Sequence, residues 1–558
     1  MLRKDLRIKR PEGTKIHKRN KNNYVYHTVD SVYKKDKQYV VENRVCIGKM
    51  IDDDFMHPND NYIQYYTLDG VEEKEPSFSD AMQVATVALL LKIIKDLGLD
   101  DLLHEIHGED ALLIKDLICY MIIRQTSVMQ HYSDYAFRHL AASEKSYDDS
   151  RISEFFKNEI SVPEIEEFLE CWNRVQSENT GIYISYDSTN MNTKAGGVDM
   201  AEYGHAKENS DFPQVNLGYA VRHSDSTPLF YEMYPGSIVD TAQCSYMVDR
   251  AKAYGYKDVG FILDRGYFSA KNIKYFDEND YGFILMIKVN SEIVEEHLKE
   301  AMLPLRTKNE HYIPEHGVYG LTVEGKLWES DNKSRYIHIF YDNIRGNEER
   351  NRYLDQLEKK EKMLEKKVEE KIRTEEELLS YKKHFRLNFD NYGYLESYKR
   401  NERSIKQCTD KLGFFILLTS EKMSASDALQ IYRDRDSTEK IFRALKTGLE
   451  YDTYRVHSQQ SLEGKTHVMF IASIVRNRLF RVLKNTRGKD KKNFTVPAAI
   501  SELEKVIAIK DKYGKYIRRY GLTAKQKKIL EPFGIDDKYL NKIIQELTQI
   551  TIGAFLVT

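Results

Sequence analysis

The sequence predicts an α/β fold with a mixed sheet at its centre, and three observations carry that prediction. Of 558 residues, 41% are hydrophobic, including 39 Tyr and 23 Phe, which is enough apolar surface for large packed cores and too much for a disordered chain. Between about 181 and 290, short runs rich in Val, Ile, Phe and Tyr alternate with segments of helical period. On either side the texture changes in blocks, and at ~150 residues per domain a chain of this length holds roughly three to four domains.

Taken in order, residues 1–75 alternate Tyr, Val and Ile with polar residues and predict a small basic β-rich module. From 76 to 178 the period becomes helical (Ala81 to Leu97, Ala111 to Ile123, Val162 to Val175), with Ser77-Phe-Ser-Asp80 as a helix start. Within 179–290, the runs Ile182–Asp187, Val215–Val221 and Pro228–Tyr234 predict three consecutive strands. A helix from Thr241 to Tyr254, a buried strand Val259–Asp264, a helix near 269–279 and a strand Tyr281–Val289 follow, which is the order expected of an α/β domain with a mixed sheet. Residues 291–412 read as an insertion. It has strands at Tyr319–Val323 and Tyr336–Tyr341, then a Glu/Lys-rich run at 347–385 whose near-heptad leucines predict a projecting helix or helical hairpin. Core texture resumes at Phe414–Leu418 and defines a second part of the sheet domain, 413–480; residues 481–558 read as a basic helical C-terminal region.

Composition narrows the function classes. Lys plus Arg number 85 and Asp plus Glu 87, but the near-neutral total hides strong segregation. Residues 1–40 hold 12 bases against 4 acids, 52–116 hold 16 acids against 4 bases, and 476–530 hold 17 bases against 4 acids. Basic blocks at both ends suit a polyanion partner, because each Lys or Arg neutralises a phosphate and releases counterions; solvated helix faces and tails give the same pattern. No apolar run reaches the ~18 residues of a membrane span. Five scattered cysteines without a CxxC pair argue against a disulfide frame or a zinc site, so a cytoplasmic protein is expected.

Two residues stand out chemically. Asp187 and Asp264 each close a strongly apolar predicted strand, where a charge is costly unless it is paired, hydrogen-bonded or bound to metal. A turn or cap role explains either one alone; two in one sheet point to a hard-metal site, since oxygen ligands suit Mg²⁺ or Mn²⁺. A third element is the predicted helix Ile431 to Lys446. At ~100° per residue, Tyr432, Arg435, Glu439 and Lys446 share a stripe about 60° wide, beside an apolar stripe of Ile431, Phe442, Leu445 and Leu449. An ordinary amphipathic helix with a local Arg435–Glu439 ion pair gives the same wheel.

The spacing Tyr432-x2-Arg435-x3-Glu439-x6-Lys446 matches the YREK signature of DDE transposases from bacterial insertion sequences, in the insertion-sequence-four superfamily. Tyr186-Asp187-Ser188 resembles that family's first acidic motif and Leu263-Asp264-Arg265-Gly266-Tyr267-Phe268 its second. The stretch Tyr203-Gly-His-Ala-Lys-Glu, followed by Phe212-Pro-Gln-Val, is similar to the segment after the first Asp. The resemblance implies a ribonuclease-H-like core with an insertion ahead of the glutamate helix, as well as DNA-binding ends. It also implies that Asp187, Asp264 and Glu439 hold two divalent ions, Mg²⁺ or Mn²⁺. Two such ions about 3.5–4 Å apart activate water for in-line attack on phosphorus and stabilise the leaving 3′-oxygen.

Tyr432, Arg435 and Lys446 would then hold phosphates of double-stranded DNA, with Arg265 and Lys207 as further contacts; His205 lies in the same segment as Lys207. Trp328 either stacks a flipped base, as in some relatives, or packs in the insertion's own core. Trp172 and His467 lie on apolar helical stretches and are expected in the core. The implied function is cut-and-paste transposition at terminal inverted repeats, with a homodimer in the DNA complex and no membrane partner. A nuclease without strand transfer and a catalytically silent DNA-binding repressor are the alternatives.

Overall fold

The computed structural model describes residues 6–19, 22–34, 39–59, 61–62, 65–66, 79–143, 147–178, 182–204, 211–329, 331, 333–370, 378–435, 442–443, 446, 453–486, 494–511 and 515–554. It divides into two compact units, 1–79 and 80–558. The first is an antiparallel five-stranded sheet in the order Ile8–Lys9, Phe55–Pro58, Tyr39–Met50, Asn22–Lys34, Lys15–Arg19. Ile8, Val25, Ile47, Met56 and Tyr62 form its core. Its edge strand Lys15–Arg19 is exposed along its whole length, and three of its five residues are basic, a composition that blunts edge-to-edge pairing.

The second unit is built on a ten-stranded sheet. Its strands in chain order are β1 (Tyr183–Thr193), β2 (Gln214–Arg222), β3 (Pro228–Pro235), β4 (Gly260–Leu263), β5 (Gly282–Ile287), β6 (Tyr312–Ile313), β7 (Val318–Gly325), β8 (Arg335–Tyr341), β9 (Phe414–Thr419) and β10 (Thr453–Tyr454). Spatially they run β6-β7-β8-β9-β5-β4-β1-β2-β3, with β10 paired to β1. The β1–β2–β3 meander is antiparallel, β4 and β5 are parallel to β1, and β9 returns antiparallel to β5. Helices Asp240–Ala253 and Ala270–Glu278 make the two crossovers that parallel pairing requires. One close approach demands glycine: a Cβ at Gly218 of β2 would stand 2.0 Å from the Tyr186 hydroxyl of β1.

The segment 291–412, which the sequence sets apart as one insertion, divides in two. β7 and β8 lengthen the main sheet by pairing through β9, because their alternating Ile, Val and Phe residues need a covered face. What stands apart runs from Asn343 to Asp410: a helix Asn343–Glu370, a two-stranded antiparallel sheet of Phe385–Phe389 and Leu395–Arg400, and a helix Glu402–Asp410. It has its own core of Leu357, Leu364, Leu378, Phe385, Leu395 and Ile405.

The helical region and the C-terminal region, separate in the sequence reading, share one body. The long helix Gln459–Asn485 packs against helices Ala111–Arg124 and Asp149–Asn158 and against β3. Gly464 permits the contact with Asp149–Asn158, since a Cβ there would stand 2.4 Å from the Phe156 carbonyl oxygen. His467 is fully buried between the rings of Phe168 and His107, and Trp172 donates to the Pro228 carbonyl of β3 at 3.0 Å. Two stretches with a helical pattern form strands instead. Ala81–Gln83, expected to open a helix, is a strand that pairs with Ile507–Lys510; that strand in turn pairs with Tyr516–Arg518, inside a region expected to be helical. The partners lie more than 400 residues apart, beyond the reach of a local pattern. Among the described residues, no helix is long and apolar enough to cross a membrane.

A chain of hydrogen bonds crosses β7, β8 and β9. The Thr419 hydroxyl donates to the Glu421 carbonyl at 2.7 Å, so it accepts from His338 Nε2 at 3.0 Å, and the Thr322 hydroxyl donates to Nδ1 at 2.9 Å. The network satisfies a neutral imidazole, and burial lowers its pKa from 6.5 to about 4. Between those values the unfolded chain binds the proton and the folded chain does not. Stability from this group is therefore complete above pH 6.5 and is lost as pH falls toward about 4, by about 3 kcal/mol at full protonation. Denaturant unfolding of His338→Gln at a series of pH values is expected to show a shallower acid slope than the parent chain.

Candidate active site

The parallel register of β1 and β4 creates the site. Gly260 pairs with Tyr183, Phe261 with Ile184 and Ile262 with Ser185; two residues further on, Asp264 comes level with Asp187. Identical steps along parallel strands put both side chains on the same sheet face, with adjacent backbones ~4.8 Å apart. Asp187 does not end its strand, as the sequence reading has it: β1 continues to Thr193, because polar Asn190 and Asn192 still pair with β2. Asp264 does lie just beyond β4 and caps the turn Arg265–Tyr267, accepting from the Arg265 N–H at 2.7 Å. Asp187 likewise accepts from the N–H of Ser188 at 2.8 Å.

The covering element is the helix Ala425–Asp434, whose start is capped by the Ser424 side chain accepting from the Asp427 N–H at 3.0 Å. Its apolar stripe packs on the sheet, with Leu429 and Tyr432 in one cluster with Ile262, Ile284, Phe340 and Leu417. That seating places Tyr432 and Arg435 over the aspartates. The Tyr432 hydroxyl donates to Asp264 Oδ1 at 3.3 Å. Burial raises the Tyr432 pKa against the opposing charge of Arg435, with smaller support from Asp264, so the hydroxyl keeps its proton. Arg435 is buried, and its guanidinium lies 3.9 Å from an oxygen of each carboxylate, Asp187 and Asp264. At an effective dielectric of about 20, each contact is worth roughly 4 kcal/mol of Coulomb energy before desolvation is counted against it.

The helix is shorter than its pattern predicts. It ends at Asp434, with Arg435 as its C-cap and the Arg435 N–H closing on the Tyr432 carbonyl at 3.2 Å in an i→i−3 step. Phe442, Arg443 and Lys446 are helical; Phe442 packs edge-on against Tyr219 of β2 and Lys446 is half-buried. Glu439, Lys207 and His205 lie outside the described residues, as do Leu445 and Leu449. Arg265 is exposed beside Asp264. Trp328 is half-buried on a groove of about 490 Å³ lined by four glutamates, Glu292, Glu295, Glu296 and Glu329, and two lysines, Lys299 and Lys326.

A third carboxylate was missed. Asp240 opens the helix Asp240–Ala253 and accepts from the Ser188 hydroxyl at 2.6 Å and the Tyr234 hydroxyl at 3.0 Å. The next residue, Thr241, donates to the Gly266 carbonyl at 2.7 Å. Asn272 then donates to the carbonyls of Thr241 and Tyr267, at 3.0 and 2.8 Å. Two consecutive residues thus tie down the segment after each of the two aspartates. The signal available in the sequence was an Asp-Thr pair at a helix start just after a strand, too common to single out.

Comparison with family models matches residues 182–475 to the transposase DDE domain, from β1 into the long helix. The match covers more than half of the 558 residues, and the chain belongs to that family. Membership implies transposase chemistry and a DNA partner. Comparison with curated proteins returns no match.

Asp240→Ala removes the acceptor that holds Ser188 and Tyr234, while Asp240→Asn retains an amide oxygen. DNA cleavage under single-turnover conditions is expected to fall by roughly 10–100-fold in the alanine variant and by less in the asparagine variant, with duplex affinity unchanged in both.

Proposed function

We propose that the chain is a cut-and-paste DNA transposase of the insertion-sequence-four type, cleaving at terminal inverted repeats and joining the freed ends to target DNA. The observation that carries the reading is the level placement of Asp187 and Asp264 on one sheet face beneath Tyr432 and Arg435. The strand order β3-β2-β1-β4-β5, with β1, β4 and β5 parallel, supports a ribonuclease-H-like core.

The donor set fits a hard divalent cation: two partly exposed carboxylates converge on one positive group, and both offer oxygen ligands. In this reading Asp187, Asp264 and Glu439 hold Mg²⁺, or Mn²⁺ in its place. Divalent ions bound there would supply activation of water and stabilisation of the leaving 3′-oxygen. The chain's own groups do the rest. Arg435 offers a planar fork to a phosphate beside the scissile bond, and Lys446 offers a point charge. Tyr432, whose hydroxyl stays protonated, donates to a phosphate oxygen. Arg265, exposed beside Asp264, would contact the strand entering there. A dimer in the DNA complex, with each protomer serving one end, completes the proposal.

Asp187→Asn, Asp264→Asn and Glu439→Gln are each expected to abolish cleavage of a duplex carrying the element's end while leaving its binding measurable by gel shift. Cleavage retained in any of the three would sink the assignment of that residue. Joined products from the parent chain distinguish a transposase from a nuclease that only cuts, and binding without any product points to a repressor.

A further inference from the structure

The unit from Asn343 to Asp410 carries a feature that the active site does not use. Its charge is divided between layers. The helix Asn343–Glu370 holds 8 basic and 8 acidic residues, whereas the layer 381–411 holds 8 basic against 4 acidic ones. Within that layer, the two-stranded sheet presents different faces. On the inward face, Phe385, Leu387 and Tyr398 meet the helix; Arg400 pairs with Glu361, and the Tyr398 hydroxyl donates to Glu365 at 3.2 Å. On the outward face, Arg386 stands directly opposite Lys399, both exposed. Among the described residues neither pairs with a carboxylate, while the outward Glu396 is taken up by Asn388 at 3.2 Å.

Like charges directly opposite one another across a strand pair are destabilising, so this pairing weakens a sheet of only two strands that already depends on its packing. The tip is nonetheless well built. Asp390 Oδ1 accepts from the N–H groups of Tyr392 and Tyr394 at 2.8 and 2.9 Å, and Gly393 takes a φ of 83°. Tyr392 is held out with 75% of its surface exposed. A module with its own core thus displays an unneutralised basic pair.

We infer that the outward face of the Phe385–Phe389 and Leu395–Arg400 sheet docks on the phosphate backbone of duplex DNA, through Arg386 and Lys399, as a contact separate from the active site. An anion lying between the two side chains turns their mutual repulsion into a shared attraction. The choice of DNA over another polyanion rests on the transposase reading.

The test is fluorescence anisotropy of the full chain on a labelled duplex of arbitrary sequence, titrated between 50 and 200 mM salt. Removing two phosphate contacts in the double variant Arg386→Ala, Lys399→Ala is expected to reduce the slope of log affinity against log salt by about 1.8. Lys362→Ala, an exposed cation already paired with Glu358, is expected to leave the slope unchanged. Circular dichroism and thermal unfolding establish that the variants are folded, and loss of the repulsion is expected to leave the double variant at least as stable. A parent-like slope in the folded double variant would overturn the inference alone. Failure of the parent chain to bind any duplex would instead overturn the transposase reading.

Discussion

The interaction on which the site depends is the parallel pairing of β1 and β4, together with the cation set over it. Register alone brings Asp187 and Asp264 level on one face, and two carboxylates so close repel. Arg435, buried and 3.9 Å from both, offsets that repulsion, and their charges in turn offset the cost of burying it. The helix that delivers it is in turn positioned by Leu429 and the body of Tyr432 against the sheet. Apolar packing sets the position and electrostatics uses it.

Around that centre the protein is arranged as support. Asp240 and Thr241 fasten the segments following the two aspartates to one helix start, Ser188 through Asp240 and Gly266 through Thr241. The strands β7, β8 and β9 broaden the sheet that the covering helix rests on, and the Thr322–His338–Thr419 chain joins them with a neutral histidine. Behind β3, the long helix Gln459–Asn485 packs on the N-terminal helices of the second unit, and Ala81–Gln83 ties the C-terminal strand Ile507–Lys510 to the same body. The family match spans this sheet and stops within the long helix.

How far the sequence could be read depended on the range of the interaction. The strands and helices from Tyr183 to Ile287 follow local periodicity, and their order was legible because each element covers its own apolar face. Ala81–Gln83 was not legible, since its strand character comes from a partner beginning at Ile507. The short sheet at 385–400 follows the Glu/Lys-rich run of 347–385 and was assigned no element of its own, because two strands of five and six residues show too little alternation to stand out. The wheel aligned Tyr432 and Arg435 within one turn and carried the helix past Asp434, where it ends.

By itself, then, the sequence determined the α/β class, the order of the central elements and the two aspartates as the residues to watch, because an Asp at the end of an apolar run is a local anomaly that needs no partner to be noticed. Tertiary structure decided what those aspartates meet. The level register, the Arg435 bridge, the Asp240 support, the incorporation of β7 and β8 into the main sheet and the opposed Arg386 and Lys399 all arise between residues distant in the chain. Such contacts are set by how whole faces are buried, and periodicity along one segment carries no record of the face it will meet.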